Sequence, residues 1–300
     1  MPHLNYSIDS YSSDIMPFMK LTVGVVGLGI MGHGIADNFL KNKYKVVVWN
    51  RDKKKASDLV RKGAKLASTP QRAAELSDIV FEVTANDESS EKVWLGKNGI
   101  IEGSKTGSYL ITCATLSVGW VEKLAAAASS KKRTFFDMPM TGSRQAAESG
   151  QLFLLVGGDA AKLKKIDRDL KAIARKVTYF GKAGSGMKFK LLLNTLQAIL
   201  GIALGEILKL AAATGQDVKK VGEFLSVRPG GTATENTWRG FLKEPKTTNF
   251  SLDWMTKDLR YTKKMTKKLN SPFLDKTLAK LELGIKKNLG KCNWTEAAKI

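Results

Sequence analysis

The feature that most constrains this fold is a β-branched run over residues 21–26 that leads directly into Gly27-Leu28-Gly29-Ile30-Met31-Gly32. A helical pattern over residues 34–42 and a strand pattern over residues 44–49 follow. This order is the βαβ unit of a dinucleotide-binding domain. In that unit the three glycines permit a tight turn, close approach of the backbone to a pyrophosphate, and close packing of helix on strand. The alternative is a glycine turn that binds no ligand.

The patterns downstream of this unit predict two domains. Strand and helix patterns alternate to about residue 180, which is typical of a mostly parallel sheet covered by helices on both faces. From residue 186 onwards the patterns are helical. We therefore predict an α/β Rossmann domain over residues 19–183 and an all-α domain over residues 184–300 for substrate binding and dimerisation. Residues 1–18 show no signal-peptide order and predict a flexible extension.

The most apolar segment, residues 191–213, raises the question of a membrane span. Four polar or charged residues interrupt it, and they would be costly in lipid: Asn194, Gln197, Glu206 and Lys209. We therefore predict a buried core helix. A separate helical domain with such a helix would leave apolar surface exposed, which also predicts contact between subunits.

Net charge is the unusual compositional feature, since 49 Lys and Arg against 28 Asp and Glu give +21 at pH 7. Such a charge attracts nucleic acid, anionic membranes or anionic metabolites. The lysines are spread along the chain, which argues against specific nucleic-acid binding and is compatible with a phosphorylated cofactor and a carboxylate substrate. Cys113 and Cys292 have no nearby Cys or His partner, which argues against a metal site or a disulfide framework and favours a reducing, cytoplasmic setting.

The end of the second predicted strand indicates which nucleotide is bound. An NAD-binding Rossmann domain usually places Asp or Glu there, where its carboxylate binds the ribose 2′-hydroxyl. This chain has Asn50-Arg51 instead. A guanidinium can bind a 2′-phosphate through two hydrogen bonds, so NADP(H) is the predicted cofactor. The alternative is that Arg51 is a surface charge and Asp52 binds the ribose of NAD.

A hydride-transfer site needs a proton donor. Neither histidine is a good candidate, because His3 lies in the extension and His33 in the glycine loop. Lys190 and Asn194 are four residues apart and share one face of an otherwise apolar helix. A partly desolvated lysine there has a lowered pKa that suits proton transfer near neutral pH. The alternative is a lysine that extends to solvent at a helix start.

A second candidate segment, Asp137 to Ser143, follows directly after a strand, where ligands bind in open α/β folds. Thr141 offers a hydroxyl, and Gly142 and Ser143 offer backbone N–H groups that could hold a substrate carboxylate. On its own the segment could equally be a turn.

Taken together, these residues resemble the β-hydroxyacid dehydrogenase family, which includes 3-hydroxyisobutyrate dehydrogenase and the glyoxylate/succinic semialdehyde reductases. The resemblance runs from about residue 19 to the C-terminus. It rests on four motifs in order: residues 27–32, residues 137–142, Gly184-Ser185-Gly186 with Lys190 and Asn194, and Lys257-Asp258. Residues 141–150 are most similar to the glyoxylate/succinic semialdehyde branch. Thr141 stands where serine is usual, so the hydroxyl is kept and the pocket is narrower.

The resemblance implies a role for each matching residue. Lys190 would protonate the carbonyl oxygen, and Asn194 would position the substrate and the lysine. Thr141, Gly142 and Ser143 would bind the substrate carboxylate, and Asp258, the acid beside Lys257, would also contact the substrate. The remaining matches imply contacts with the cofactor: residues 27–32, Asn50, Arg51, Thr115 and Lys257.

The function implied is interconversion of a small hydroxyacid and its semialdehyde or oxo form by an NADP(H)-dependent homodimer or homotetramer. Two other functions stay open at this point. One is a non-catalytic nucleotide-binding scaffold with affinity for nucleic acid, which the presence of Lys190 argues against. The other is an imine reductase, which shares the architecture by resemblance but typically carries Asp or Tyr in place of Lys190.

Overall fold

The computed structural model describes residues 20–227, 231–243, 248–266, 270 and 272–300. The predicted extension and the predicted domain start at residue 19 lie outside these residues. Within them the chain folds as an α/β Rossmann domain followed by an all-helical domain. The predicted fold class is confirmed.

The described residues form one sheet of nine strands. The strands are β1 Val23–Val26, β2 Val46–Trp49, β3 Lys65–Leu66, β4 Ile79–Glu82, β5 Tyr109–Thr112, β6 Thr134–Asp137, β7 Met140–Thr141, β8 Leu152–Gly158 and β9 Ala174–Gly181. Their order is β3-β2-β1-β4-β5-β6-β8-β7, with β9 paired to β8. The first six strands in this order are parallel, and β8 runs antiparallel to β6. The cofactor-binding edge is therefore the edge where β1 to β6 end.

The same residues form thirteen α-helices and two short 3₁₀ helices. In the Rossmann domain the α-helices are α1 Ile30–Lys41, α2 Ser57–Arg61, α3 Pro70–Glu75, α4 Asp87–Trp94, α5 Ile100–Gly103, α6 Val118–Ser130, α7 Arg144–Glu148 and α8 Ala160–Leu170. In the helical domain they are α9 Ser185–Ala213, α10 Val218–Ser226, α11 Gly231–Leu242, α12 Leu252–Met265 and α13 Pro272–Lys286. The 3₁₀ helices are Lys53–Ala56 and Trp294–Lys299.

The central strands form because their sequences are apolar runs, which suits parallel strands that are buried on both faces. All four residues of β1 and β4 are buried. One hydrophobic core lies between the sheet and α1 and α8, and it includes Phe39, Phe81 and Ile166. A second core lies between the sheet and α6, and it includes Trp94 and Leu124.

The long helix α9 belongs to two cores along its length. Met187 and Leu191, near its start, pack in the second core of the Rossmann domain. Ala198 and the residues after it pack in the helical domain. Two glycines allow close packing there, since a Cβ on Gly201 would lie 2.5 Å from the Trp294 ring and a Cβ on Gly205 would lie 2.4 Å from a backbone oxygen. The helix therefore links the domains through continuous packing.

The prediction that α9 is a buried core helix is confirmed for only one of its faces. By length and composition α9 is apolar enough to cross a membrane, a test that core helices of soluble proteins also pass. In the structure α11, α12 and α13 pack against it. The opposite face carries exposed apolar side chains at helical spacing: Phe189, Leu192, Leu196 and Ile207.

Candidate active site

The glycine loop has the shape that a dinucleotide pyrophosphate requires. Gly27 has φ of +100°, and a Cβ there would lie 2.3 Å from the carbonyl oxygen of Val83. A Cβ on Gly32 would lie 2.0 Å from the carbonyl oxygen of Gly27, whereas a Cβ on Gly29 would meet nothing within 4 Å. Gly29 also begins α1 without a side-chain cap, so the first N–H groups of the helix are left for a phosphate. The loop fits the cofactor.

Asn50 forms hydrogen bonds with the glycine loop and with the backbone of the charged segment that follows β2. The Asn50 Oδ1 accepts a hydrogen bond of 2.9 Å from Leu28 N, and its Nδ2 donates to the carbonyl oxygen of Asp52. The Asp52 carboxylate accepts a hydrogen bond of 3.0 Å from Lys54 N and caps the 3₁₀ helix. Arg51 is exposed and has no ion pair with another described residue.

Lys190 and Asn194 lie on α9 where it passes beside α12. Asn194 is buried, and its Nδ2 donates a hydrogen bond of 2.6 Å to Asp258 Oδ2. The pKa of Lys190 is lowered to about 8, chiefly by burial, with the Asp258 carboxylate opposing this shift and the Lys257 ammonium adding to it. No group in the described part of the chain accepts a hydrogen bond from Lys190 Nζ. Its ammonium can therefore bind a ligand oxygen.

Lys257 connects the helical domain to two loops of the Rossmann domain. From α12, its Nζ donates to the carbonyl oxygens of Ala85, at 3.1 Å, and Thr115, at 2.7 Å. It also lies 3.0 Å from Asp258 Oδ1, an oxygen that accepts no well-aligned hydrogen bond. Ala85 follows β4 and Thr115 follows β5, so one ammonium fixes the spacing of both loops.

Two acidic residues of the Rossmann domain hold the same pair of loops. Glu82 is fully buried, and it accepts hydrogen bonds from Thr112 Oγ1 at 2.6 Å and Thr84 N at 3.0 Å. Burial raises the pKa of its carboxyl. Asp87 Oδ1 accepts a hydrogen bond of 2.8 Å from Ser117 N. The loops after β4 and β5 are therefore held from within the sheet as well as by Lys257.

Asp137 has a role that the sequence analysis did not assign. It is fully buried at the end of β6, where Oδ1 accepts a hydrogen bond from Gly184 N and Oδ2 accepts one from Met187 N, both at 2.7 Å. The carboxylate thus caps the start of α9, the helix that carries Lys190. Burial raises the pKa of Asp137 to about 6, against the effect of these hydrogen bonds. An acid after a strand and a Gly-Ser-Gly helix start were visible in sequence, but their contact was not.

The segment predicted to bind the substrate carboxylate lies at a turn. Thr141 ends β7, and Gly142 follows with φ of +143°, a conformation that favours glycine. Ser143 Oγ accepts a hydrogen bond from Ala146 N and caps α7. Among the described residues no hydrogen bond joins this segment to Lys190 or Asn194, so its role in binding substrate stays a prediction.

The surroundings of Asp258 differ from those expected of a residue that contacts the substrate. Its side chain has no exposed surface, and its two oxygens face Asn194 and Lys257. This geometry favours a role in positioning those two residues. His33 also has a structural partner. Its Nε2 lies 2.8 Å from Asp58 Oδ2, and this contact joins α1 to α2.

The fold and this site define a nicotinamide-nucleotide-dependent oxidoreductase acting on CH–OH groups. Residues 22–181 match the family model for the NAD-binding domain of 6-phosphogluconate dehydrogenase, and residues 184–291 match the model for the NAD-binding domain of NADP-dependent 3-hydroxyisobutyrate dehydrogenase. The chain belongs to the β-hydroxyacid dehydrogenase family and is 3-hydroxyisobutyrate dehydrogenase-like, as its motifs predict.

Relatives of known sequence support this assignment. An uncharacterised oxidoreductase of Shewanella frigidimarina is 33% identical over 79% of this chain and 82% of its own length. A probable 3-hydroxyisobutyrate dehydrogenase-like protein of Arabidopsis thaliana is 32% identical over 83% of this chain and 75% of its own. Human cytokine-like nuclear factor N-PAC is 28% identical, and this chain spans only 45% of its length.

Solved structures agree on the fold. The 3-hydroxyisobutyrate dehydrogenase of Mycobacterium tuberculosis, solved with L-serine, superposes with a TM-score of 0.83 at 20% identity, covering 93% of this chain and 98% of its own. An imine reductase from a Pseudomonas species superposes with a lower TM-score of 0.58 at 18% identity, covering 93% and 99%.

Proposed function

We propose that this protein interconverts a small hydroxyacid and its semialdehyde or oxo form with NADP(H), using Lys190 as the general acid and base. The observation that carries the proposal is the group formed by Lys190, Asn194 and Asp258. It combines an ammonium of lowered pKa, for which the described residues offer no hydrogen-bond acceptor, with a buried amide that donates to a carboxylate. Such a group can hold and protonate a carbonyl oxygen.

When bound, the nicotinamide supplies or accepts the hydride of the reaction. The role of the protein is to supply or remove a proton at the substrate oxygen when the hydride is transferred. In reduction, Lys190 Nζ donates a hydrogen bond and then a proton to the substrate's carbonyl oxygen; in oxidation, its neutral amine removes the hydroxyl proton. Asn194 is held by Asp258 and orients the substrate oxygen beside the ammonium. These groups are fixed in advance, so little reorganisation is needed in the transition state.

Preference for NADP(H) over NAD(H) is the second part of the proposal. The Asp52 carboxylate is occupied in capping, which disfavours its use on a ribose 2′-hydroxyl. Arg51 is exposed at the end of β2 and is followed by Lys53-Lys54-Lys55. A 2′-phosphate would gain charge-assisted hydrogen bonds there.

A homo-oligomer formed through α9 is the third part. Leu192 and Leu196 are 52% and 53% exposed, and they lie on the same helix face as Phe189. Burial of such a face in a second copy of the chain would remove apolar surface from water, at roughly 25 cal/mol for each Å².

The test is NADPH oxidation followed at 340 nm with glyoxylate, succinic semialdehyde, tartronate semialdehyde and methylmalonate semialdehyde, with NADH in parallel. We expect turnover of at least one aldehyde and a preference for NADPH that Arg51→Ala reduces. Turnover of a cyclic imine but no aldehyde would replace the proposed reaction with imine reduction. Tight NADPH binding without turnover of any substrate would support the non-catalytic scaffold.

A further inference from the structure

The edge of the parallel sheet opposite the cofactor loops is strongly basic. We define the amino edge as the four residues that precede each of β1 to β6. It contains nine basic and two acidic residues, whereas the four residues that follow the same strands contain two basic and one acidic. The basic residues are Lys20, Lys43, Lys45, Arg61, Lys62, Lys105, Lys131, Lys132 and Arg133. Of the two ends of these strands, the amino edge therefore carries the greater positive charge.

The strand register places these side chains in a row. Val46, at the start of β2, pairs with Val23, and the same level continues through Ile79 and Tyr109 to Thr134, at the start of β6. Neighbouring strands are about 4.8 Å apart, so the four steps from β2 to β6 span about 19 Å. Lys45 and Arg133 immediately precede the two ends of this row.

Five of the basic residues are exposed and have no acidic partner within the described ranges: Lys20, Lys43, Lys45, Lys131 and Lys132. By contrast, Lys62 pairs with Asp37 at 2.6 Å and Lys105 pairs with Asp78 at 3.2 Å. Lys43 and Lys132 have φ of 62° and 59°, a region where glycine or asparagine is favoured.

The chemistry of the row favours one class of partner. No exposed large hydrophobic side chain of the described chain lies in the amino edge. Lipid surfaces and single-stranded bases are usually bound with inserted or stacked apolar side chains. A row of ammonium groups without them matches a run of phosphates. We propose that the amino edge binds the phosphate backbone of double-stranded nucleic acid without sequence preference.

The test is fluorescence anisotropy of the full chain with two labelled 24-base-pair DNA duplexes of unrelated sequence, between 50 and 200 mM KCl. We expect equal affinity for both duplexes and a linear fall of log K with log salt. Lys131→Gln with Lys132→Gln should reduce the slope by about 2, since each phosphate contact contributes roughly 0.9. Affinity at 100 mM salt should fall by about tenfold or more.

The matched control is Lys286→Gln with Lys287→Gln, which removes the same charge from exposed lysines at the end of α13. This control should bind DNA as the wild type does. Equal losses in the two double variants would mean that binding follows net charge alone and would overturn the proposal. Absence of DNA binding at 50 mM salt, tighter binding of a single strand, or binding only to vesicles with 30% anionic lipid would also overturn it.

A structural role for the lysines gives a different result. Lys131 and Lys132 follow the end of α6, where positive charge stabilises a helix. If that were their only role, the Lys131→Gln, Lys132→Gln variant would lose thermal stability and keep the DNA affinity of the wild type. We expect the reverse, with NADPH oxidation unchanged.

Discussion

At the scale of single residues, the proposed chemistry depends on the Lys190 ammonium, whose pKa is set by opposing electrostatic effects. Burial and the neighbouring Lys257 favour the neutral amine of Lys190, while the Asp258 carboxylate favours the charged form. The result is a pKa of about 8. A group in this range can give and take a proton, which suits a reaction that runs in both directions.

Lys190→Ala tests the role directly. We expect kcat to fall by about 10²–10⁴ because proton transfer is lost, with little change in the Kd for NADPH, since the glycine loop is distant in sequence and intact. Steady-state kinetics and cofactor fluorescence titration measure the two quantities. Lys190→Arg is the matched variant, because arginine keeps the charge but does not release its proton. Near wild-type kcat in both variants would remove Lys190 as the acid.

The pH dependence should have opposite signs in the two directions. Reduction needs the protonated ammonium, so kcat for the aldehyde should be high below pH 8 and fall as the pH rises through about 8. Oxidation of the hydroxyacid needs the neutral amine, so its kcat should rise through the same value. Profiles in both directions from pH 6 to 10 check this. Profiles that fall together with rising pH would contradict the assignment.

At the scale of elements, the buried carboxylate of Asp137 joins the end of β6 to the start of α9. Asp137→Ala would leave two backbone N–H groups without an acceptor. We expect the free energy of unfolding to fall by about 2–4 kcal/mol. Asp137→Asn keeps one acceptor oxygen and should lose about half as much. Urea unfolding at pH 7 measures both values, and equal stability of all three proteins would contradict the capping role.

The pH dependence of that stability also has a defined sign. The pKa of Asp137 is about 6 in the folded protein and ordinarily 3.8, so the native state binds more protons than the unfolded state between these values. Stability from this group is therefore greatest at pH 4 and falls as the pH rises to 6. The stability difference between wild type and Asp137→Ala should shrink by about 1–3 kcal/mol over that interval. A stability difference between the two proteins that grew with rising pH would contradict this expectation.

Lys257 and Asp258 act as one unit that couples two elements. Lys257→Met would leave the buried Asp258 Oδ1 without its counter-charge and release both loop carbonyls. We expect a loss of about 2–3 kcal/mol in unfolding free energy and a raised KM for NADPH. Adding Asp258→Asn should recover part of the stability, because the uncompensated charge is gone, but not the KM. Additive losses in the double variant would contradict this coupling.

At the scale of the whole molecule, the exposed face of α9 predicts the oligomeric state. Leu192→Glu with Leu196→Glu should convert the proposed oligomer to a monomer, because four charged oxygens would have to be desolvated in the interface. Light scattering after size exclusion measures the mass. Leu283→Glu is the matched control, since Leu283 is also exposed, at 43%, on another helix. A wild-type protein that is monomeric at micromolar concentration would contradict the interface.

Much of the fold could be predicted from sequence because its signals are local. The apolar runs of β1 and β4 and the glycine loop each lie within a few residues. Helix α11, Gly231–Leu242, has a weak helical signal because its residues include several poor helix formers. It forms through packing, with the Trp238 ring lying against Gly222. The short strands β3 and β7 and the helix α7 are not predictable from sequence patterns, because such short segments carry little periodicity.

The contacts within the candidate site could not be predicted from the sequence. Lys190 and Asn194 could be paired from helical spacing alone. The contacts of Lys257 with Ala85 and Thr115 join residues far apart in the chain, 172 and 142 positions away, so no local pattern encodes them. The cap formed by Asp137 is hidden for the same reason.

The capped start of α9 has a consequence for how the two domains could be recombined. Asp137, Met187 and Leu191 tie the first turns of α9 to the sheet, so Lys190 moves with the Rossmann domain although it follows the loop between the domains. A chimera with a related enzyme, joined at residue 183, would import a foreign lysine onto this sheet. A crossover just before Ala198, where packing passes to the helical core, would exchange the later helices and leave Lys190, the proposed proton donor, in its native position on the sheet.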